Sequence, residues 1–264
     1  MSKITFIGAG NIAQALMGGL LESHPNAKIV ASDPNIEKIG GLPTQLTQTK
    51  NNEEAIEASD TIVLCVKPNL MKIVCQKITN DIKNKLFISV AAGITARSIA
   101  SWLGDNTAII RCMPNTPALV GAGMTGLYAN KHVSDEQKND AEKILSSVGE
   151  IHWFTKESEL DIVTAISGSG PAYYFLFMEA MQNVGQKLGL SPEVSKKLVL
   201  QTALGAAQMA KQSTLDTEQL RINVTSPGGT TEAAIKFMQE HDVETIIEGS
   251  VRAAHSKSIL LSKS

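Results

Sequence analysis

Apolar runs alternate with amphipathic stretches along roughly the first 155 residues of the chain. Runs rich in β-branched and other apolar residues, typical of strands buried in a parallel sheet, lie at 4–7, 27–34, 60–68, 85–93, 108–113, 124–130 and 150–154. Helical patterns lie at 11–21, 53–59, 69–79, 95–103 and 134–147. The alternation predicts a mostly parallel sheet with right-handed helical crossovers.

From about residue 157 the strand signals disappear and the remaining chain carries helical patterns alone. Small residues at 166–173 separate two apolar helical runs, and 243–262 has the apolar positions of one amphipathic helix. The sequence therefore predicts an α/β domain over 1–157, followed by an all-helical domain over 158–264.

Residues suited to helix starts stand at three of the predicted boundaries. Thr95 is a suitable N-cap, and Ser134 with Gln137 forms a capping-box pattern. Ser191 is followed by Pro192, which favours the first turn of a helix that runs to about residue 211.

A glycine turn follows the first predicted strand. Gly8 allows a tight turn, Gly10 lets the backbone approach a pyrophosphate, and the next helix offers its N-terminal N–H groups. Ala13 stands where the strict pattern has a third glycine, and its small side chain still permits close packing. The turn favours a Rossmann-type dinucleotide site over an ordinary strand-to-helix turn, in which the glycines serve backbone shape alone.

The composition describes an ordinary soluble chain. The 264 residues carry a net charge of −2, without a basic stripe for nucleic acid, an apolar run long enough for a membrane or a secretory signal pattern. The three cysteines form no Cys-x-x-Cys pair, which favours reduced thiols, and the five histidines lack metal-ligand spacing. We therefore expect a cytoplasmic protein without a metal.

Asp33 follows the second predicted strand, where a Rossmann unit places an acid for the adenosine ribose hydroxyls. An acid there favours NAD, whereas the side chains of Ser32, Asn35 and Lys38 could bind a 2′-phosphate. Asp33 with Pro34 could also simply begin a turn. The residues leave the choice between NAD and NADP open.

Two further strand ends carry candidate residues. Lys67 ends the run at 60–68, at the carboxyl edge where α/β sheets bind ligands, so it is either a ligand contact or a solvated charge. The small residues Ala91, Ala92 and Gly93 end the next run and would let a flat ring lie against the backbone.

A second glycine turn lies at 225–232, before a helix predicted to run towards Met238. Gly228 and Gly229 expose backbone N–H groups at a helix N-terminus, which suits a carboxylate, and Thr230 and Thr231 add hydroxyls. A plain N-cap explains the same residues equally well.

Six motifs in the same order resemble pyrroline-5-carboxylate reductase, and the match covers nearly the whole chain. They are GAGNIA at 8–13, VKP at 66–68, VAAG at 90–93, RCMPNTP at 111–117, SGSGPAY at 167–173 and NVTSPGGTT at 223–231. The resemblance implies NAD(P)H-dependent reduction of the cyclic imine 1-pyrroline-5-carboxylate to L-proline, the last step of proline biosynthesis.

The resemblance also implies a helical domain that dimerises, in a homodimer or a larger homo-oligomer such as a decamer. The cofactor contacts that it implies are Ile7, Gly8, Ala9, Gly10, Asn11, Ile12, Asp33, Asn35, Asn52, Cys65, Val66, Lys67, Pro68, Val90, Ala91 and Ala92. The substrate contacts that it implies are Asn223, Gly228, Gly229, Thr230 and Thr231. Most of the family prefers NADP(H), while the charge of Asp33 leaves NAD(H) open.

For this reaction the hypothesis is hydride transfer from the nicotinamide to the imine carbon, with the substrate carboxylate on the amides at 228–230. Thr231 would hydrogen-bond the ring nitrogen as electron density arrives there, and Lys67 would supply a charge nearby.

Two other functions fit the same order of sheet and helices. A 3-hydroxyacid dehydrogenase would need an acid–base group in the helical half, and Lys187, Lys196 and Lys197 there lie outside any glycine-lined motif. A nucleotide-sensing module would keep the fold without turnover.

Overall fold

The computed structural model describes residues 3–41, 43–79 and 81–262, with Lys38 described by its backbone alone. Within this part of the chain, an eight-stranded sheet has the order β3-β2-β1-β4-β5-β6-β7-β8. Its strands are β1 Ile4–Ile7, β2 Ile29–Ser32, β3 Thr47–Thr49, β4 Thr61–Leu64, β5 Leu86–Ser89, β6 Ala108–Met113, β7 Gly123–Ala129 and β8 Gly149–Trp153.

The sheet is mostly parallel, as the sequence predicts. The pairing of β6 with β7 is antiparallel and the other strand pairs are parallel. In register, Ile7 lies beside Leu64 and Leu64 lies beside Ser89. The residues that follow β1, β4 and β5 therefore leave the sheet at one edge, which is where an α/β sheet binds its ligand.

Helices cover both faces of the sheet, so successive strand residues enter different cores. Phe6 and Ile88 belong to one buried cluster, and their neighbours Ile7 and Phe87 belong to the other. The helices along the sheet are α1 Asn11–Ser23, α2 Asn52–Glu57, α3 Pro68–Gln76, α4 Ala96–Leu103 and α5 Asp135–Ser146. Short 3₁₀ turns occupy Ile36–Lys38 and Thr116–Val120.

The predicted caps are confirmed. Thr95 Oγ1 accepts the N–H of Ser98 at 3.0 Å. Ser134 and Gln137 form both bonds of the capping box, and Ser191 caps the helix at 192–212. β3 is not among the predicted strands, because Thr47–Thr49 is a short edge strand of polar residues without an apolar run.

After β8 the described chain is helical throughout, as predicted. It forms α6 Glu159–Val163, a π-helical turn at Thr164–Gly168, α7 Gly170–Lys187, α8 Pro192–Gln212, α9 Thr217–Asn223, α10 Thr230–Glu240 and α11 Val243–Ser262. None of the helices in the described part of the chain is long and apolar enough to cross a membrane.

The chain divides into two compact units. The first comprises the described residues of Met1–Pro171 and Ala253–Ser264, and the second is Ala172–Arg252. Within the second unit Ser195 and Val199 are the buried residues, whereas large apolar side chains such as Phe175 and Leu188 are exposed. A helical unit with so little interior of its own exposes an apolar surface typical of an association interface. The predicted boundary between 157 and 158 stays a prediction.

Candidate functional site

The glycine turn after β1 has the geometry that a dinucleotide needs. Gly8 has φ +92°, and a Cβ there would lie 2.8 Å from the carbonyl oxygen of Cys65, so another residue type would clash with the backbone just after β4. Gly10 is the N-cap of α1, and a Cβ at Gly10 would meet nothing within 4 Å. Ala13 is fully buried against the sheet. The turn is thus closely packed towards the sheet and open where a pyrophosphate would approach the start of α1.

The carboxylate of Asp33 bridges the end of β2 to this turn. Its Oδ2 accepts the Ala9 N–H at 3.1 Å, and its Oδ1 accepts the Asn35 N–H at 2.8 Å. The carboxylate is therefore held at the β2 end by two backbone amides, rather than only starting a turn. The Lys38 side chain, a candidate for a 2′-phosphate, lies outside the described residues.

The neighbouring side chains complete the β2 end of the site. The Ser32 hydroxyl donates to Asn52 Oδ1 at 2.6 Å, which ties the start of α2 to β2. Glu37 and Lys50 form an exposed ion pair at 2.7 Å. This part of the sheet edge therefore presents polar groups and a fixed carboxylate, which suit a ribose.

Lys67 is exposed and is the N-cap of α3, with Pro68 in the first helical position. Within the described part of the chain, its side chain forms no ion pair or hydrogen bond. Cys65, two residues earlier, is a free thiol whose pKa burial raises far above its ordinary range, with Cys112 adding to the shift. Lys67 therefore supplies the local charge, while Cys65 stays neutral.

The backbone after β5 reaches the same edge. The Val90 N–H donates to the Leu64 oxygen at 3.2 Å, and the Ala91 N–H donates to Ser89 Oγ at 3.3 Å. Val90 thus continues β5 beside the end of β4, and the chain turns away from the strand at Ala92 and Gly93. The small residues Ala91, Ala92 and Gly93 lie at this edge, and their contact with a flat ring stays a prediction.

In the second glycine turn, two backbone N–H groups already donate hydrogen bonds to acceptors within the chain. The Gly228 N–H donates to Glu232 Oε2 at 2.7 Å, and the Gly229 N–H donates to the Ser226 oxygen at 3.0 Å. Gly229 is the N-cap of α10 and no side chain caps this helix, so the N-cap interpretation of the threonine hydroxyls is wrong. Thr230 and Thr231 are exposed at the start of the helix.

Sequence reasoning missed Glu232 and Glu157. Glu232 carries a recognisable signal, because an acid at the third position of a helix commonly reaches back to a preceding amide. Glu157 bonds to residues that are 46 and 61 positions away in the chain, and no local pattern indicates such contacts.

The candidate cofactor residues thus meet at the carboxyl edge of the sheet, in the first unit. The candidate substrate residues lie in the second unit, where Asn223 ends α9 and accepts a bond from Gln219 at 2.9 Å. Across the described residues, no group of three His, Cys, Asp or Glu side chains is arranged to hold a metal.

Comparison with known proteins assigns the family. Residues 157–261 match the family model described as pyrroline-5-carboxylate reductase dimerisation, and residues 3–93 match one described as NADP oxidoreductase, coenzyme F420-dependent. The pyrroline-5-carboxylate reductase of Pseudomonas aeruginosa is 49% identical over 99% of this chain and 97% of its own. The chain belongs to the pyrroline-5-carboxylate reductase family. The pyrroline-5-carboxylate reductase of Pasteurella multocida is 40% identical over 99% of this chain and 98% of its own.

Solved structures of the family have the same fold. The enzyme from Coxiella burnetii gives a TM-score of 0.93 at 40% identity, covering 100% of this chain and 99% of that one. The Plasmodium falciparum structure, which has NADP bound, gives 0.88 at 35% identity, covering 99% and 98%. The resemblance deduced from six motifs and the predicted fold class are confirmed.

Proposed function

We propose that this chain is an NAD(P)H-dependent oxidoreductase that reduces the C=N bond of 1-pyrroline-5-carboxylate to give L-proline, the last step of proline biosynthesis. Membership of the family, at 49% identity over 99% of the chain, is the observation that supports it most strongly. The two glycine turns supply what the reaction needs, namely a dinucleotide site and an anion site at helix N-termini.

The cofactor is proposed to bind along the carboxyl edge of the sheet, with its pyrophosphate on Gly8, Gly10 and the start of α1. The adenosine ribose then lies near Asp33, and the nicotinamide lies near Val90–Ala92 and Lys67. When bound, the cofactor supplies the hydride. NADPH is proposed as the preferred form on family grounds, with NADH accepted, because the Asp33 carboxylate disfavours a 2′-phosphate.

The substrate carboxylate is proposed to bind at the start of α10, on the turn formed by Gly228, Gly229 and Thr230. The Gly228 and Gly229 N–H groups have acceptors within the chain, so the Thr230 N–H is the available donor of the three. The helix dipole favours an anion at the same place. Asn223, at the end of α9, is proposed as a further substrate contact.

The Thr231 hydroxyl is proposed to hydrogen-bond the ring nitrogen, where electron density arrives during hydride transfer. A substrate that binds as the protonated imine needs no strong general acid on the protein. Lys67 is proposed as a positive charge beside the reacting groups, since its side chain is exposed and unpaired within the described chain.

The protein is proposed to act in the cytoplasm as a homo-oligomer, a homodimer or a larger assembly such as a decamer. The match to a dimerisation model over 157–261 and the exposed apolar side chains of the second unit support self-association.

The test is to follow the absorbance of NADPH, and separately of NADH, when 1-pyrroline-5-carboxylate is added to the pure protein. Rapid oxidation with formation of L-proline supports the proposal, and the ratio of the two kcat/KM values gives the cofactor preference. Binding of both cofactors without oxidation of either would contradict it and favour a nucleotide sensor.

A further inference from the structure

The loop between β5 and α4 carries the residues proposed to contact the nicotinamide. β5 ends at Ser89 and α4 begins at Ala96, so the loop spans residues 90–95. Both sides of this loop contact parts of the chain that follow the last strand of the sheet. These contacts determine where the loop lies relative to the sheet edge.

The carboxylate of Glu157 holds the α4 side of the loop. Its Oε1 accepts the backbone N–H of Ala96 at 2.6 Å and the Nη1 of Arg111 at 2.8 Å. Arg111 lies on β6 directly beside Ser89, the last residue of β5. One carboxylate oxygen therefore ties the first residue of α4 to the strand next to β5.

This contact is partly withdrawn from solvent. The side chain of Arg111 is 9% exposed and that of Glu157 is 25% exposed. A carboxylate at a helix N-terminus is favoured by the helix dipole, and its hydrogen bond to a cation is stronger than one between neutral groups. Thr95 already caps α4 through the Ser98 amide, so Glu157 adds a bond at a different donor.

The C-terminal helix holds the other side of the loop. Gly93 has φ +73°, and a Cβ on it would lie 2.7 Å from the Cβ of Leu261 and 3.0 Å from its carbonyl carbon. The last turns of α11 are in turn anchored by Ser258, whose hydroxyl donates to Asp161 Oδ1 at 2.6 Å. Ser258 is 3% exposed and Asp161 is half-buried, so this anchor is partly shielded from solvent.

We propose that Glu157 is a positioning residue for the nicotinamide half of the cofactor and acts on loop 90–95 through its bond to Ala96. Arg111 holds the Glu157 carboxylate in place, and Leu261 packs against Gly93 on the other side of the loop. The inference rests on the proposed function, because it takes this loop to be the nicotinamide contact. Loss of the Glu157 carboxylate frees the start of α4 and lets the loop shift against the sheet edge. The pyrophosphate turn at Gly8–Gly10 contacts none of these groups and keeps its shape.

The test measures the dissociation constants of three nucleotide ligands and does not depend on turnover. NADPH and NADH carry the nicotinamide, whereas ADP carries the adenosine and pyrophosphate alone. The three ligands are titrated into the wild type, Glu157→Ala and Glu157→Gln. Asp135→Asn is the matched control, since it removes an exposed ion pair with Lys138 on α5, outside the site. Circular dichroism checks the fold of each variant.

Glu157→Ala is expected to weaken NADPH and NADH binding about tenfold, with ADP binding unchanged. Glu157→Gln keeps an acceptor for the Ala96 N–H and loses the charge facing Arg111, so a smaller loss is expected. Asp135→Asn is expected to bind all three ligands like the wild type.

The inference would be overturned if each cofactor, NADPH and NADH, had the same dissociation constant in the wild type as in both Glu157 variants. The inference would also be overturned if the Glu157 variants bound ADP more weakly by the same factor as NADPH and NADH, because Glu157 would then support the whole domain. If Glu157→Ala does not fold, Glu157→Gln decides between these outcomes. A wild type that binds both cofactors without reducing the imine would contradict the proposed reaction and leave this binding test intact.

Discussion

Asp33 Oδ2 accepts the backbone N–H of Ala9 at 3.1 Å, so the acid that follows β2 is bonded to the glycine turn that follows β1. Its other oxygen is held by the Asn35 N–H at 2.8 Å. The two bonds fix a negative charge where the adenosine ribose is proposed to lie. Cofactor preference should therefore depend on this one side chain.

Replacing Asp33 with Ser is expected to raise the ratio of kcat/KM for NADPH to that for NADH by about tenfold, because the charge that repels a 2′-phosphate is removed. Steady-state kinetics with each cofactor measures the ratio. Asp105→Ser is the control, because Asp105 is an exposed acid in the loop between α4 and β6, outside the proposed site. A ratio that stays at the wild-type value would show that Asp33 does not discriminate between the cofactors.

Replacing Thr231 with Ala is expected to lower kcat/KM for 1-pyrroline-5-carboxylate by about tenfold or more, since a hydrogen bond to the ring nitrogen is lost in the transition state. The affinity for NADPH should not change. Thr217→Ala, at the first position of α9, is the matched threonine control. Unchanged kcat/KM in Thr231→Ala would remove the proposed role.

Replacing Glu232 with Gln is expected to lower KM for 1-pyrroline-5-carboxylate about two- to fivefold. The wild-type carboxylate holds the Gly228 N–H at 2.7 Å and places a like charge beside the proposed carboxylate site. The glutamine oxygen can still accept that N–H, so the turn should keep its shape.

The substrate 1-pyrroline, which has the same imine but lacks the carboxylate, separates this effect from a general change in the turn. Because 1-pyrroline has no carboxylate to be repelled, its KM should not fall in Glu232→Gln. Glu240→Gln, at the last residue of α10, serves as the control. An equal change in KM for both imines would argue against charge competition.

The buried thiol of Cys112 makes stability dependent on alkaline pH. Burial raises its pKa from 9.0 to about 12, with the Arg111 charge opposing the shift. Below pH 9 the thiol is neutral in both the folded and the unfolded chain, so its full contribution to stability is present. As the pH rises, the unfolded thiol ionises first, so this contribution is lost progressively up to about pH 12.

We therefore expect the free energy of unfolding to fall more steeply above about pH 9 in the wild type than in Cys112→Ala. Urea unfolding at neutral pH and at about pH 10.5 measures the difference. Parallel falls in the two proteins would show that Cys112 ionises equally in the folded and unfolded chains.

Local patterns predict much of this fold because the relevant contacts are close along the chain. The apolar runs identify seven of the eight strands, and Ser134 with Gln137 identifies a helix start that the structure has. β3 could not be predicted in this way, since Thr47–Thr49 has no apolar pattern and becomes a strand by pairing with β2.

The amino-acid pattern alone predicts the alternation of strands and helices, the two glycine turns and, through six motifs, the family. These features depend on backbone conformations and packing periods that particular residue types favour over a few positions. Three features emerge only in the folded chain, namely the antiparallel pairing of β6 with β7, the bond from Ala9 to Asp33, and the carboxylate of Glu157 shared by Ala96 and Arg111. Such contacts join residues from different elements of the chain, so no pattern over a few neighbouring positions specifies them.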